Sequence, residues 1–188
     1  MIHRISVGKI INDHLRTLRS LNDKSSSLYW GDVVLFFVFP LLTSMLLVYF
    51  NVSIRPLIGE LIKAIAIFAA FLFNMLAIIY NSMNQIEKDA EDSELKKVYV
   101  KEIHSNLSFN ILTGIVLILT LLATYSLNLN SKICFLNPVS VLKTILSWLL
   151  DISCYFLILL FFLTLLMNLN RVYVLLNRHI RDKIGKKK

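Results

Sequence analysis

The chain has 188 residues, of which 56% are hydrophobic and only 17% are charged, and its formal net charge is +8. Soluble domains usually contain about 45–50% apolar and about 25% charged residues, so these values argue against an ordinary soluble enzyme, a disordered tail and a disulfide scaffold. High apolar content beside a strong basic charge is instead typical of a small membrane protein, in which apolar residues face lipid and charged residues face water.

Residues 1–30 are predicted to form a cytoplasmic amphipathic segment. Within it, residues 4–21 have helical spacing, with Val7, Ile11 and Leu15 on one side and basic residues on another. A basic amphipathic helix can lie on the anionic inner leaflet of a membrane, so membrane lipids are one expected partner. A protein-binding helix is the alternative interpretation.

Four long stretches without Lys, Arg, Asp or Glu follow, at residues 33–54, 64–86, 103–131 and 152–170. Residues 31–80 are therefore expected to contain transmembrane helices 1 and 2, and residues 107–167 are expected to contain helices 3 and 4. A helix needs roughly 20 apolar residues to cross the hydrocarbon core, and these unbroken runs lack the alternation of barrel strands. The sequence therefore predicts an all-α polytopic membrane protein. Its four transmembrane helices are expected at about residues 32–50, 57–80, 107–127 and 144–167.

Residues 81–106 connect the second and third spans and contain neither Pro nor Gly. Apolar residues continue the helical spacing from both spans, which predicts a cytoplasmic helical hairpin that turns near residues 91–93. The charged surface of the hairpin is either exposed to solvent, with local ion pairs, or a docking site for a cytoplasmic protein. The docking candidates in this segment are Glu87, Asp89, Glu91, Asp92, Glu94, Lys96 and Lys97.

Residues 168–188 are predicted to continue the fourth span as a basic cytoplasmic helix. Tyr173, Leu176 and Ile180 keep the helical spacing, and basic residues flank them. Most such tails only anchor the topology, but Arg178 and Arg181 are candidates for docking an acidic partner.

The distribution of basic residues predicts the orientation in the membrane. The N-terminal segment, the central loop and the tail contain 16 of the 20 Lys and Arg residues. Positive charge stays on the cytoplasmic side, so both termini and the hairpin are expected inside, in a bacterial inner membrane. Topology thus accounts for the net charge, and with no nucleic-acid-binding fingerprint we expect no direct nucleic-acid contact.

Polar side chains also lie within the predicted spans, where a charge at the bilayer centre costs about 2.5–3.5 kcal/mol on insertion scales. We expect Lys63 and Asp151, at similar depth, to form a neutralising pair, and the alternative is a water-filled vestibule or ion path. Ala66 and Ala70 allow close helix approach, and together with the polar stripes they predict a homo-oligomer, with a tetramer favoured over a dimer. The intramembrane polar candidates are Lys63, Asn74, Thr120, Thr124 and Asp151.

Motifs for catalysis are missing from the sequence. It has no HExxH, paired CxxC, GxSxG or Gly-rich phosphate loop, and its four histidines show no ligand spacing. We therefore expect no enzymatic activity, no cofactor, no metal and no small-molecule substrate.

Three functions fit these predictions. The first is a membrane sensor or scaffold that works with a soluble partner, because the charged and amphipathic segments converge on the cytoplasmic side. The second is a pore-forming membrane effector, whose path the intramembrane polar residues would line. The third is an immunity protein against a pore-forming toxin, which needs only a helical bundle in the inner membrane.

The layout of the entire chain, from MIHRISVGKI through four spans to the RHIRDKIGKKK tail, resembles KwaA, the membrane subunit of the Kiwa anti-phage defence system. The resemblance implies a homotetramer that senses phage attack at the inner membrane and binds the cytoplasmic, DNA-binding effector KwaB. Immunity proteins for pore-forming colicins share the same plan of four spans with both termini inside. The resemblance transfers no site residue.

Overall fold

The computed structural model describes residues 7–17, 31, 34–86, 93–129 and 139–185. Within these ranges only residues 50–54 lie outside helices, and no strand is present in them. The five α-helices of the described residues are α1 (Val7–Thr17), α2 (Phe39–Tyr49), α3 (Ile58–Ile86), α4 (Ser93–Leu129) and α5 (Val139–Gly185). The predicted all-α class is therefore confirmed.

Three helical segments are long and apolar enough to cross a membrane: Arg55–Asn81, Val100–Ser126 and Thr144–Val174. They overlap the second, third and fourth predicted spans. The first predicted span falls on Val34–Tyr49, which is a shorter apolar helix. The chain thus forms a helical protein with three segments suited to spanning a membrane.

The long helices continue beyond their apolar segments, as expected from the sequence. Helix α5 has 47 residues, about 70 Å at 1.5 Å per residue and more than twice the thickness of a hydrocarbon core. The predicted continuation of the fourth span is confirmed as far as Gly185. Helix α3 ends at Ile86 and α4 begins at Ser93, and the predicted hairpin turn lies outside the described residues.

A π-helical turn, Val34–Val38, leads into α2, and Pro40 occupies the first turn of that helix. Proline has no backbone N–H, and its ring clashes with the carbonyl group four residues earlier, which here belongs to Phe36. A wider helical turn at this point accommodates both effects.

Helix α2 ends in a Schellman motif. Asn51 has a φ of 53°, a left-handed conformation that asparagine tolerates better than most residues. The Val52 N–H donates to the Leu47 carbonyl at 3.1 Å and the Asn51 N–H donates to the Val48 carbonyl at 3.0 Å. The Tyr155 hydroxyl of α5 then donates to the Val52 carbonyl at 2.7 Å, which fixes the end of α2 to α5.

The described residues belong to two compact units. The first unit draws on Met1–Tyr29, Phe71–Ile111 and Leu163–Lys188, and the second draws on Trp30–Ala70 and Leu112–Phe162. The first unit therefore takes its residues from the three segments predicted to be cytoplasmic and from the adjoining parts of α3, α4 and α5.

Aromatic packing around a glycine forms part of the core of the second unit. The rings of Phe68 and Phe161 meet edge to face with centroids 6.3 Å apart, and Phe161 is almost fully buried. A Cβ added at Gly114 would lie 3.2 Å from the Phe161 ring and 3.6 Å from the Ile65 side chain. Glycine therefore permits a close approach of α4 to its neighbours, a common device between membrane helices.

In the first unit, α1 buries polar residues against the other helices. His14 and Thr17 are buried, whereas Ile11 of the predicted apolar side is 40% exposed. Contact of the Val7, Ile11 and Leu15 side with lipid or with a protein partner stays a prediction. The polar face finds hydrogen-bond partners on α4 and α5, and no local pattern in residues 4–21 could show this.

Candidate functional site: a buried polar network

Helix α1 is attached to α4 through polar groups. His14 Nδ1 lies 2.7 Å from Asn106 Oδ1, and the Thr17 hydroxyl lies 2.7 Å from the same oxygen. The Thr17 hydroxyl is also 2.7 Å from the His14 carbonyl, so its one proton has two alternative acceptors. Asn106 is thus the shared acceptor that holds the end of α1.

The environment of His14 keeps its ring neutral. The imidazole is 1% exposed and stacks on Phe109 with a centroid distance of 3.8 Å and an interplanar angle of 3°. Burial lowers the pKa of His14 to about 4, the hydrogen bond to Asn106 opposes this change, and the positive charge of Arg171 adds to it. A neutral imidazole facing a carbonyl oxygen must carry its proton on Nδ1, so His14 donates to Asn106.

Arg171 of α5 connects three helices. Its Nη1 donates to Glu102 Oε2 of α4 at 3.2 Å, and its Nη2 donates to the Thr17 carbonyl at 2.8 Å. Both charged side chains are mostly buried. Arg171 therefore binds the backbone of α1 at Thr17 while it neutralises Glu102.

Polar groups recur at each turn of the α4–α5 contact in the first unit. Thr164 donates to Asn110 Oδ1 at 2.9 Å, and Arg171 pairs with Glu102. In this antiparallel register Asn106 and Asn168 fall at the level between those two pairs. In the described part of the chain, both amide atoms of Asn168 and Nδ2 of Asn106 are buried without a hydrogen-bond partner.

The second unit contains a separate charged contact. Arg55 Nη2 donates to the Ser147 hydroxyl at 3.1 Å and lies 3.7 Å from Asp151 Oδ2. Lys63 instead pairs with Glu60 at 3.0 Å, and both of these side chains are more than 70% exposed. The predicted Lys63–Asp151 pair is therefore wrong, because Lys63 lies on an exposed side of α3 while Arg55, two turns earlier, faces α5.

The remaining intramembrane candidates have the following positions. The Thr120 hydroxyl donates to the Val116 carbonyl at 2.8 Å, and the Thr124 hydroxyl donates to the Thr120 carbonyl at 3.0 Å. Thr124 is also 3.4 Å from the sulfur of Cys154. Asn74 is exposed on α3, as are Ala66 and Ala70, so this stripe is not covered by the described residues of the chain.

The predicted docking residues are described only in part. Glu87, Asp89, Glu91 and Asp92 lie outside the described residues, and for Glu94, Lys96, Lys97, Arg178 and Arg181 only the helical backbone is described. The structure therefore assigns the last five to α4 and α5, and docking stays a prediction.

Sequence reasoning did not find the network around His14. Glu102, Asn106 and Asn110 follow one another at steps of four on α4, and Asn168 and Arg171 fall on one side of α5. Such spacing of polar residues along an apolar helix is the signal that points to this network, but the predicted third span starts only at residue 107 and so leaves Glu102 and Asn106 outside it. No group of three or more His, Cys, Asp or Glu side chains suited to a metal occurs in the described ranges.

Three long apolar helices, with polar groups paired between helices, indicate a helical membrane protein. No family model, curated protein or solved structure matches the chain.

Proposed function

We propose that this protein is a four-span scaffold of the bacterial inner membrane that oligomerises and recruits a cytoplasmic effector protein through its charged helix ends. The observation that carries this proposal is the composition of the first unit. The described parts of the N-terminal segment, the central segment and the C-terminal helix all belong to it, and Arg171 bonds to both α1 and α4 within it. Such a unit presents several charged segments to one partner.

The apolar helix Val34–Tyr49 is the proposed additional span and the first in chain order. Its described part alone is about 24 Å long, against a hydrocarbon core of about 30 Å. An even number of spans places both termini on the same side, in agreement with the asymmetry of the basic residues.

The exposed stripe on α3 supports self-association. Ala66, Ala70 and Asn74 are exposed within a segment that is suited to spanning a membrane. Small residues let helices approach closely, and an asparagine in lipid favours a hydrogen-bonding helix. A second copy of the chain covering this stripe would satisfy both, and a tetramer is the proposed assembly.

The resemblance to KwaA supplies the biological context of the proposal. In that context the effector is a KwaB-like cytoplasmic protein, and the scaffold acts in anti-phage defence. No enzymatic step is assigned to the chain.

Purification from native membranes in mild detergent tests recruitment. We expect a soluble companion, identified by mass spectrometry, at a constant molar ratio to the tagged chain. Charge reversal at Lys96 and Lys97, or at Arg178 and Arg181, should release the companion. Lys63→Glu, which reverses an exposed charge of α3 in the second unit, is the matched control and should retain it. Recovery of the chain alone under all conditions contradicts the proposal.

Cross-linking in intact membranes tests the assembly. We expect oligomers that disappear when Ala66 and Ala70 are both changed to leucine, because the larger side chains keep the helices apart. The matched control changes Ile67 to leucine, which alters an exposed side chain of α3 without a large change in volume. If cross-linking yields no oligomer and only the monomer is recovered, the proposed oligomeric scaffold is ruled out.

A further inference from the structure

Helix α1 has two exposed edges of different character. Ile11 is 40% exposed, and Lys9 is also exposed. At 3.6 residues per turn these two side chains point about 160° apart around the helix axis. Because His14 and Thr17 attach the buried face to α4, the rotation of α1 about its own axis is fixed. One apolar edge and one basic edge thus have defined directions.

The residues that hold α1 also define its depth. Asn106 lies about one turn after Glu102, which is the last charged residue before the uncharged run of α4, and Arg171 is the first charged residue after the uncharged run of α5. One helical turn corresponds to about 5 Å along the axis. Helix α1 is therefore held at the level where the apolar segments of α4 and α5 end.

We infer that α1 is an interfacial helix whose Ile11 edge contacts lipid and whose Lys9 edge faces the anionic headgroups and water. An exposed isoleucine beside the ends of two membrane-spanning segments meets lipid, and amphipathic helices at this level place their apolar side about 5–10 Å into the boundary region. The cation on the opposite edge complements the negative surface of the inner leaflet. The partner is a lipid surface.

This interfacial role has a structural consequence within the first unit. The helix that contacts lipid through Ile11 is also the helix whose Thr17 carbonyl binds Arg171, which in turn neutralises Glu102. A change at the lipid surface that displaces α1 therefore removes hydrogen-bond partners from both α4 and α5. The interfacial position of α1 rests on the membrane-spanning part of the proposed function and is independent of any effector.

Spin labels in proteoliposomes of phosphatidylethanolamine and phosphatidylglycerol test the position of α1. Single cysteines replace Ile11, Lys9 or Ile67 in a background with Cys134→Ser and Cys154→Ala. Collision rates with oxygen and with a water-soluble nickel chelate give the depth of each label. We expect the Ile11 label about 5–10 Å below the phosphate groups and the Lys9 label at or above them.

Ile67 is 71% exposed within the apolar segment of α3 and provides the control for membrane insertion. If the Ile67 label is deep while the labels at Ile11 and Lys9 are equally accessible to the nickel chelate, the interfacial role of α1 is wrong. If the Ile67 label is also accessible to the chelate, the membrane-spanning part of the proposed function fails instead.

Two further variants extend the test, one with a label away from Ile11 and one that reverses the charge at Lys9. A Cβ added at Gly8 meets no atom within 4 Å, so a label there leaves the attachment of α1 intact, and we expect its depth to fall between those of the Ile11 and Lys9 labels. Lys9→Glu should make the Ile11 label shallower in vesicles with phosphatidylglycerol and leave it unchanged in pure phosphatidylcholine. The same depth in both lipids contradicts recognition of anionic headgroups.

Discussion

Replacing Asn106 by leucine should weaken the attachment of α1. The change keeps the side-chain volume but removes the acceptor that lies 2.7 Å from His14 Nδ1. The Thr17 hydroxyl still reaches the His14 carbonyl, so His14 is the donor left unpaired, at a cost of about 1–3 kcal/mol. Leucine also removes the unpartnered Nδ2 of Asn106, which moves the expected loss to the lower part of that range, about 1–2 kcal/mol.

Asn168→Leu is the matched control for this prediction. Asn168 lies at the same level of the α4–α5 contact and is 3% exposed, but neither of its amide atoms has a hydrogen-bond partner in the described part of the chain. Replacing an unpaired buried polar group by an apolar group of similar shape is nearly neutral or stabilising. The Asn→Leu change should therefore destabilise the attachment of α1 at residue 106 and leave the stability unchanged or higher at residue 168.

Hydrogen exchange of the backbone amides of α1, measured by mass spectrometry in detergent, reports the attachment directly. Amides of a segment that opens locally exchange at a rate set by the free energy of that opening. A loss of about 1–2 kcal/mol accelerates exchange roughly 5–30-fold, so Asn106→Leu should show this acceleration in α1 and Asn168→Leu should not. Unchanged exchange in Asn106→Leu, or equal acceleration in both variants, would refute the reasoning.

Three other predictions concern His14, Asp151 and Gly114. The pKa of His14 is lowered from 6.5 to about 4, because the fold favours the neutral imidazole over the protonated one. The folding stability should therefore be complete above pH 6.5 and fall by about 3 kcal/mol in total as the pH falls towards 4. Hydrogen exchange of α1 between pH 7 and pH 4, corrected for the intrinsic rate, checks this loss, and a flat profile contradicts it. Asp151→Asn should lower the free energy of unfolding by at most about 1 kcal/mol, because Arg55 is partly exposed. The same variant should leave the ion permeability of proteoliposomes unchanged. If the unchanged chain makes the vesicles permeable to ions and Asp151→Asn abolishes this permeability, the protein is a pore instead of a scaffold. Gly114→Val should destabilise the protein by about 1–3 kcal/mol through overpacking against the buried Phe161, and a melting temperature equal to that of the unchanged chain would contradict this packing.

The sequence could predict the membrane segments because each requires a long run without charge. The second predicted span differs from the observed apolar segment by at most two residues at either end. The third was expected to start near residue 107, whereas the apolar segment begins at Val100. That segment includes Glu102, whose carboxylate pairs with Arg171.

The partners of the polar residues could not be predicted, because they depend on helix rotation. Lys63 and Asp151 were expected to pair from their depths alone, but depth does not determine which side of a helix faces a neighbour. Asp151 instead faces Arg55, which the sequence placed just before the second span. His14 and Asn106 are 92 residues apart, and no local spacing connects them.

Polar pairs explain how α4 and α5 select one register in the first unit. Between membrane helices, apolar packing distinguishes poorly between one register and another, since lipid tails are as apolar as the side chains they replace. The Glu102–Arg171 and Asn110–Thr164 contacts specify the register, because sliding α5 by one turn, about 5.4 Å, separates both pairs. It also moves Arg171 away from the Thr17 carbonyl. The attachment of α1 therefore depends on the register of α4 and α5, because α1 binds both helices at once.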